Sequence, residues 1–225
     1  MLVKDRMTPN PITILPSATH RQAAEVMREH HIHHLPVLDK GGNLVGIVVE
    51  QDLLAAQPSP ATTLSIYEIH GLLSKLQVKQ IMTRPVYTTP PDCPIEEAAR
   101  VMLSEDIGCL PVVEGGKVVG IITDHDIFDV LVTLLGGGEE GARFTLQVAN
   151  KPGVLAQVAQ IVADAGGNII SVTAWHEKGS ASPAAYITIK EQGANFAHLK
   201  PGLEALDVEL IDLRENPTCL RQTFG

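Results

Sequence analysis

The residues best suited to binding an oxygen-rich ligand lie in the stretch Gly120–Asp126, where a threonine precedes an aspartate by three residues. The glycine and the two β-branched residues after it predict the end of a buried strand. Thr123 and the acids that follow it are good N-cap residues, so a helix is expected to begin here. At the positive end of a helix, the Thr123 hydroxyl and free N–H groups can bind a phosphate, and the Asp126 carboxylate can accept from sugar hydroxyls. The same two residues would also form an ordinary helix cap, and both interpretations stay open.

A second copy of this stretch, Gly46–Asp52, lies 74 positions earlier and belongs to a long internal repeat. Ala23–Met27 corresponds to Ala98–Met102, and Leu35–Val37 corresponds to Leu110–Val112, each with a shift of 75 positions. A repeat of this length indicates one structural unit that is used twice.

Composition and charge limit the function classes. The chain has 225 residues, 44% of them hydrophobic and 19% charged, which is ordinary for a globular protein of one to three domains. Its 17 basic and 26 acidic residues give a net charge of −9, which argues against a nucleic-acid partner. The longest apolar runs are shorter than a membrane span, so no membrane partner is expected. Three widely spaced cysteines suit free thiols in a reducing compartment, and a cytoplasmic location is expected: Cys93, Cys109 and Cys219.

The periodicity of the repeated part predicts one order of elements twice: strand, helix, strand, strand, helix. The first copy covers residues 1–57 and the second covers residues 81–135. In the first copy we expect strands over Ile12–Ile14, Leu35–Leu38 and Leu44–Val49, a helix from His20 to His31, and a second helix from Asp52. Residues 58–80 form a linker that contains an amphipathic helix, expected to pack against the repeats, with its apolar residues at helical spacing: Ile66, Ile69, Leu72, Leu73 and Leu76.

The remainder of the chain has a different pattern. A Gly-rich linker over residues 136–142 is followed by a domain over residues 143–214 and a tail over residues 215–225 that is expected to be poorly ordered. The domain alternates strand and helix in the order β-α-β-β-α-β, which is the ferredoxin-like order. The expected elements are strands 143–148, 168–173, 184–189 and 208–213, and helices after residue 153 and over 198–206.

Each of the two repeats resembles a CBS domain. The residues that carry the resemblance are a Met-Thr lead-in, an Ala-Ala-x-x-Met helix, Leu-Pro-Val, and Gly-Ile-x-x-x-x-Asp. The tandem pair, over about residues 1–135, resembles a Bateman module. The last 80 or so residues resemble an ACT domain through Asn-Lys-Pro-Gly-Val-Leu and Gly-Asn-Ile-Ile-Ser-Val. The domain order is similar to that of acetoin-utilisation B (AcuB-type) proteins. The implied fold class is α+β, with a pseudo-twofold pair of β-α-β-β-α repeats followed by a ferredoxin-like domain.

The CBS resemblance implies an adenine-nucleotide site in the cleft between the repeats. Carried over to the second copy, Thr123 would contact phosphate and Asp126 the ribose hydroxyls. Met82 and Tyr87 would line the base. The remaining predicted site residues of this copy are a loop opposite the ligand and a neighbour of Asp126: Ile107, Gly108, Cys109 and His125.

The first copy departs from this pattern. Val49 stands where Thr123 stands, so the hydroxyl is missing, although Asp52 remains. His33 and His34 occupy the loop positions of Gly108 and Cys109, where the family often has basic groups near phosphate. A histidine pair there would make anion binding depend on pH near neutrality. Two unequal half-sites are therefore expected.

The ACT resemblance implies a possible second ligand site. Asn150 stands where the family has an acid, so a charge that could hold a ligand ammonium is missing. Backbone N–H groups of Gly153, Val154 and Leu155 could bind a carboxylate, and Asn168 would lie near a partner chain in a side-by-side dimer. The alternative is that Asn150 and Asn168 are turn and cap residues only.

Other chemical interpretations have less support. His30, His31, His33 and His34 have spacings that could bind zinc, but histidines at a helix end also suit its dipole, and no metal site is predicted. Cys109 before Leu-Pro-Val is more typical of core packing than of a reactive thiol. No G-x-S-x-G, H-E-x-x-H or Walker pattern occurs, and no carboxylate pair stands out as acid and base.

Two functions follow from these observations. The first is a non-catalytic regulatory sensor that binds AMP, ADP, ATP or another adenosine compound, has no catalytic cofactor, and forms a homodimer with the ACT domain as a dimerisation or second-ligand module. A link to acetoin utilisation is part of this interpretation. The second is a ligand-independent scaffold that recruits an unidentified partner enzyme, favoured by the departures at Val49 and Asn150.

Overall fold

The computed structural model describes residues 1–58, 65–176, 184–206 and 208–215. The predicted tail beyond residue 215 and residues 59–64 of the predicted linker lie outside these residues. The contacts divide the chain into two compact units, Met1–Phe128 and Asp129–Gly225.

The first unit contains the first repeat and the second repeat up to Phe128; each repeat has one hairpin and two helices. The first helix of the first repeat is capped by Thr19, which accepts a hydrogen bond from Gln22 N, and it ends at His31 in the left-handed conformation with φ of 54°. Its counterpart in the second repeat ends in the same way at Asp106, with φ of 53°. The elements up to the hairpin of the second repeat are strands β1 (Thr8–Pro9), β2 (His34–Leu38), β3 (Leu44–Val49), β4 (Cys109–Glu114) and β5 (Lys117–Thr123), helices α1 (His20–His30), α2 (Glu50–Ala55), α3 (Ile66–Leu73) and α4 (Ile95–Glu105), and short 3₁₀-helices at Val3–Asp5 and Val78–Gln80.

The lead-in segments cross over between the repeats. Thr8 in β1 pairs with Ile121 in β5, so the N-terminal lead-in extends the hairpin of the second repeat. Thr83 pairs in turn with Ile47 in β3, with hydrogen bonds of 2.8 and 3.2 Å in the two directions. Each structural half of the unit is therefore built from both sequence repeats.

The methionines of the lead-in segments fill space left by two glycines. A Cβ on Gly120 would overlap the Met7 thioether, and a Cβ on Gly46 would overlap the Met82 thioether. The hairpin strands stay close to the crossing lead-ins only because these two positions lack a side chain.

Three of the differences between the expected elements and the structure lie in the first unit; in the second unit the ends of the elements differ by up to three residues, and the helix expected over 198–206 runs over Phe196–Glu204. The strand expected at Ile12–Ile14 is reduced to an isolated bridge between Ile14 and Val37, whereas β1 lies at Thr8–Pro9. Helix α2 begins at Glu50 rather than Asp52, because Asp52 accepts from Val49 N as a cap residue. Helix α3 ends at Leu73, with Tyr67 and Leu72 on its exposed surface.

The second unit forms the ferredoxin-like domain. Its core joins the inward face of the sheet to two helices, and Phe144, Leu146, Val158 and Ile189 are almost fully buried there. The elements are β6 (Ala142–Ala149), α6 (Val154–Asp164), β7 (Asn168–Trp175), β8 (Ala184–Gln192), α7 (Phe196–Glu204) and β9 (Glu209–Glu215). The sheet order β7-β8-β6-β9, all antiparallel, places the first and third strands of this domain at its centre. The α+β class and the β-α-β-β-α-β order are confirmed.

Helix α5 (Asp124–Leu134) contains the point at which the contacts divide the chain. Just beyond its end, the Leu135 carbonyl accepts from Ser171 Oγ at 3.1 Å and the Gly136 carbonyl accepts from Lys190 Nζ at 2.6 Å. The start of the expected Gly-rich linker is thus held against the sheet of the second unit. The run Gly136–Gly141 has G-x-G-x-x-G spacing, but it follows a helix and precedes a strand, the reverse of a dinucleotide-binding turn. The domain bounds given above stay predictions.

Among the described residues, no helix has the length and apolar character needed to cross a membrane.

Candidate functional site

Thr123 and Asp126 form a complete capping box at the start of α5. Asp126 Oδ2 accepts from Thr123 N at 2.8 Å and from the Thr123 hydroxyl at 2.7 Å, and the hydroxyl oxygen faces Asp126 N at 3.4 Å. The cap interpretation of these two residues is therefore correct, and it does not remove them from a ligand site, because both also border a cavity.

That cavity, which we call the Thr123 cavity, has a volume of about 620 Å³. The lead-in of the first repeat forms one wall, and the loop before β2 and the junction of β5 with α5 form the others. Its lining residues are Thr8, Asn10, Pro11, Ile12, His31, Ile32, His33, His34, Ile121, Thr123, Asp124, His125 and Asp126.

A second cavity, the Tyr87 cavity, is related to the first by the internal repeat and has a volume of about 440 Å³. Val49 takes the place of Thr123, and Pro85–Tyr87 take the place of Asn10–Ile12. Its lining residues are His33, His34, Ile47, Val49, Glu50, Gln51, Thr83, Pro85, Val86, Tyr87, Asp106, Ile107, Gly108 and Cys109.

The residues predicted as one site of the second copy are divided between these cavities. Thr123, His125 and Asp126 line the Thr123 cavity. Tyr87 and the loop Ile107–Cys109 line the Tyr87 cavity. The reason is the crossover of the lead-in segments, which brings Ile12 rather than Tyr87 to the side of Thr123. His33 and His34 line both cavities.

Two predicted residues lie outside both linings. Met82 is half-buried and packs against the core of the first repeat, with its sulfur against Gly46. Asp52 caps α2 through a 2.9 Å hydrogen bond from Val49 N. Sequence reasoning missed the counterparts that do line the Thr123 cavity, among them Asn10, Ile12 and Ile32. The 75-residue shift identifies Ile12 and Tyr87 as equivalent positions. It does not show to which cavity each of them contributes.

The electrostatics of the two cavities are set by acids and imidazoles. His33 Nδ1 lies 2.8 Å from Glu50 Oε2. Burial lowers the pKa of His34 below its ordinary value, and the nearby carboxylate of Asp124 opposes this shift. Burial also raises the pKa of the Cys109 thiol to about 12, with a smaller contribution from Asp124. Cys109 is therefore protonated at neutral pH and a poor nucleophile.

The lowered pKa of His34 predicts a pH dependence of stability. The folded protein disfavours protonation of His34, so neutral His34 contributes to the free energy of unfolding. This contribution is present above the ordinary pKa of 6.5 and is lost as the pH falls through the lower pKa of the folded state. The groups that act on this titration are Asp124, Asp126 and His33. We expect the melting temperature of His34→Gln to fall less between about pH 7 and pH 5 than that of the wild type. His30→Gln, at the exposed end of α1, is the control and should keep the wild-type slope; an equal slope for His34→Gln would contradict the assignment.

In the ACT-like domain, Gly153 precedes α6 with φ of 92°, a conformation that favours glycine. The Val154 side chain enters the core, whereas Leu155 is on the exposed side of α6. Asn150 is exposed in the preceding bend, and Asn168 is exposed at the start of β7, opposite Gln192. These residues stay predicted ligand positions. Within the described residues, no group of three or more His, Cys, Asp or Glu residues is arranged to hold a metal ion.

The fold and its cavities define a class of protein: a tandem-repeat module with two symmetry-related cavities, followed by a ferredoxin-like domain. The chain belongs to the CBS-domain family, whose model matches residues 3–59 and 78–133, about half of the chain. The model of the AHAS small subunit-like ACT domain matches residues 144–208. The resemblance to a CBS pair with a C-terminal ACT-like domain is thus confirmed.

Solved structures of similar proteins agree with this assignment. A Vibrio cholerae protein named as an acetoin utilization protein (AcuB) is 35% identical, with a TM-score of 0.51 over 60% of this chain and 93% of that one. The CBS domain pair of protein MJ0100, solved with 5′-methylthioadenosine and S-adenosyl-L-methionine, is 33% identical, with a TM-score of 0.50 over 62% of this chain and 98% of that one.

Curated relatives include proteins of different kinds. A CBS domain-containing protein of Dictyostelium discoideum is 33% identical over 60% of this chain and 94% of its own length. An L-aspartate semialdehyde sulfurtransferase of Methanocaldococcus jannaschii is 35% identical over 56% of this chain. This chain spans only 22% of the length of that enzyme.

Proposed function

We propose that this protein is a regulatory sensor that binds an adenosine-containing ligand in the cavities of its CBS pair and catalyses no reaction. The observation that carries the proposal is the Thr123 cavity, whose lining combines a hydroxyl and a carboxylate with the apolar side chains of Ile12, Ile32 and Ile121. Apolar side chains suit a purine, and the polar pair suits a ribose. The volumes of both cavities lie within the range of small-molecule sites.

Relatives support this proposal. CBS-domain proteins are generally regulatory, and the pair of MJ0100 was solved with two adenosine compounds. In this chain, Asp126 Oδ2 makes the cap contacts, so Oδ1 would meet the ribose hydroxyls. The ACT-like domain would act as a dimerisation or second-ligand module in a cytoplasmic homodimer. A link to acetoin utilisation is proposed only from the similarity to AcuB.

A panel of adenosine compounds tests the function. The melting temperature of the purified full chain would be measured with AMP, ADP, ATP, NAD, S-adenosylmethionine and 5′-methylthioadenosine. A ligand at 100 times its dissociation constant adds about 2.7 kcal/mol of stability, so a rise with at least one compound is expected. The absence of a rise with every compound would contradict the sensor.

Asp126→Ala should weaken binding of the compound that gives this rise. Loss of hydrogen bonds to a charged acceptor costs about 1.5–3 kcal/mol, or roughly 10- to 100-fold in the dissociation constant measured by calorimetric titration. The variant also loses its cap, at a cost of about 1 kcal/mol in stability. Glu68→Ala is the matched control, because Glu68 makes the same capping box with Ser65, at 2.8 and 2.7 Å, outside both cavity linings. Glu68→Ala should keep the wild-type affinity, and unchanged affinity in Asp126→Ala would rule out the ribose role.

The second candidate function is a ligand-independent scaffold for a partner enzyme. Val49 favours it, because the Tyr87 cavity lacks the hydroxyl that Thr123 supplies to its counterpart. Recovery of the same partner protein with and without adenosine compounds would support the scaffold.

A further inference from the structure

The Thr123 cavity has an unusual charge for a nucleotide site. Its lining contains two carboxylates, Asp124 and Asp126, and four histidines, and none of its described lining residues is lysine or arginine. The Tyr87 cavity is alike, with Glu50 and Asp106 and no lysine or arginine among its described lining residues. A nucleoside polyphosphate in either cavity would therefore depend on imidazoles for positive charge.

The two histidines that line both cavities, His33 and His34, supply little positive charge. Burial lowers the pKa of His34, so this imidazole is neutral. The Glu50 carboxylate lies 2.8 Å from His33 Nδ1 and offsets positive charge beside that ring. The partial positive charge of the α5 N-terminus, about half a unit, is opposed by the two full charges of Asp124 and Asp126 in the first turn.

The position of the Asp124 carboxylate also favours a cation over a phosphate. Asp124 Oδ1 accepts from His125 N at 2.7 Å, which fixes the side chain. Its Oδ2 borders Gly108, where a Cβ would lie 3.4 Å from it and 3.5 Å from His34 Nε2. Asp124 is exposed and Asp126 is half-buried. Charges a few ångströms apart still interact near a protein surface, so these carboxylates would repel phosphates and attract a cation.

We propose that the Thr123 cavity selects an adenosine compound that carries a positive charge, of the adenosylsulfonium class, over nucleoside polyphosphates. This inference rests on the proposed function and specifies its ligand. The Thr123–Asp126 pair would hold the ribose, as in any adenosine compound, and Asp124 would distinguish the cation from neutral and anionic analogues.

The test is calorimetric titration of the full-length protein at pH 7.5 with S-adenosylmethionine, ATP and uncharged 5′-methylthioadenosine. S-adenosylmethionine should bind at least about tenfold more tightly than ATP, which corresponds to about 1.4 kcal/mol. Raising the salt concentration should weaken its binding without affecting 5′-methylthioadenosine, because only the former interaction is between charges. The proposal would be overturned if ATP bound more tightly than S-adenosylmethionine, or if S-adenosylmethionine and 5′-methylthioadenosine showed the same salt dependence.

Asp124→Asn gives a second readout. It should weaken S-adenosylmethionine about tenfold and leave 5′-methylthioadenosine within about twofold. Glu114→Gln, which removes an exposed acid outside both cavity linings, controls for net charge. It should change the affinity for neither compound. An equal loss for both compounds in Asp124→Asn would overturn the cation role. If 5′-methylthioadenosine binds and S-adenosylmethionine binds no better than ATP, this inference alone fails; if no adenosine compound binds, the proposed function fails with it.

Discussion

Replacing Gly120 with alanine is expected to destabilise the first unit by about 1–3 kcal/mol and to weaken ligand binding in the Thr123 cavity. A Cβ at this position would overlap the Met7 thioether and would lie 3.2 Å from the Thr8 carbonyl oxygen. Extra volume in a packed site forces side chains and backbone to shift, at a cost of this size. Since Thr8 pairs with Ile121 and both line the Thr123 cavity, the shift would distort the cavity wall. Denaturant unfolding and calorimetric titration measure the two effects.

Two further variants separate this effect from a general glycine effect. Gly120→Ala combined with Met7→Ala should recover part of the stability, because the side-chain overlap is relieved while the contact with the Thr8 backbone remains. Gly71→Ala, in helix α3, meets no atom within 4 Å and should be neutral or stabilising by up to about 1 kcal/mol. If Gly120→Ala unfolded at the wild-type denaturant concentration, the close packing of lead-in and hairpin would be refuted.

Replacing Phe144 with alanine is expected to destabilise the ACT-like unit by about 3–5 kcal/mol. Phe144 is fully buried in β6, where it pairs with Ile189 and Leu213 on the two neighbouring strands. Truncation of such a residue loses its transfer free energy and leaves a cavity at the centre of the sheet. In a unit of this size, each kcal/mol lowers the melting temperature by about 4–8 °C, so calorimetry should show a large shift of one transition.

The matched control is Leu155→Ala in the same unit. Leu155 is 45% exposed on α6, so its truncation should cost less than about 1 kcal/mol. Phe144→Ala should also leave the stabilisation of the first unit by an adenosine compound intact, because both cavities are lined only by residues of Met1–Phe128. A loss equal to that of Leu155→Ala would show that Phe144 is not central to the core.

Features with local physical causes were predictable from the sequence. The helix expected from His20 to His31 runs over His20–His30, because its cap at Thr19 and its apolar face both depend on residues close together in the sequence. The order of elements in the ACT-like unit also follows from short-range periodicity and from glycines such as Gly153, which takes a positive φ before α6. The prediction of a strand at Ile12–Ile14 was wrong, since two prolines and a few β-branched residues do not determine which partner strand is available.

The sequence alone determined the repeat, the equivalence of Thr123 and Val49, and the cap that Asp126 provides, because each depends on residue identity at a fixed spacing. Only the tertiary structure decided that Thr123 shares a cavity with Ile12, whereas Tyr87 shares a cavity with Val49. The physical reason is that β1 pairs with β5 across more than 100 residues, held by the fit of Met7 over Gly120. Such a pairing depends on long-range packing, which no local pattern encodes, and it is this packing that places the two cavities between the repeats.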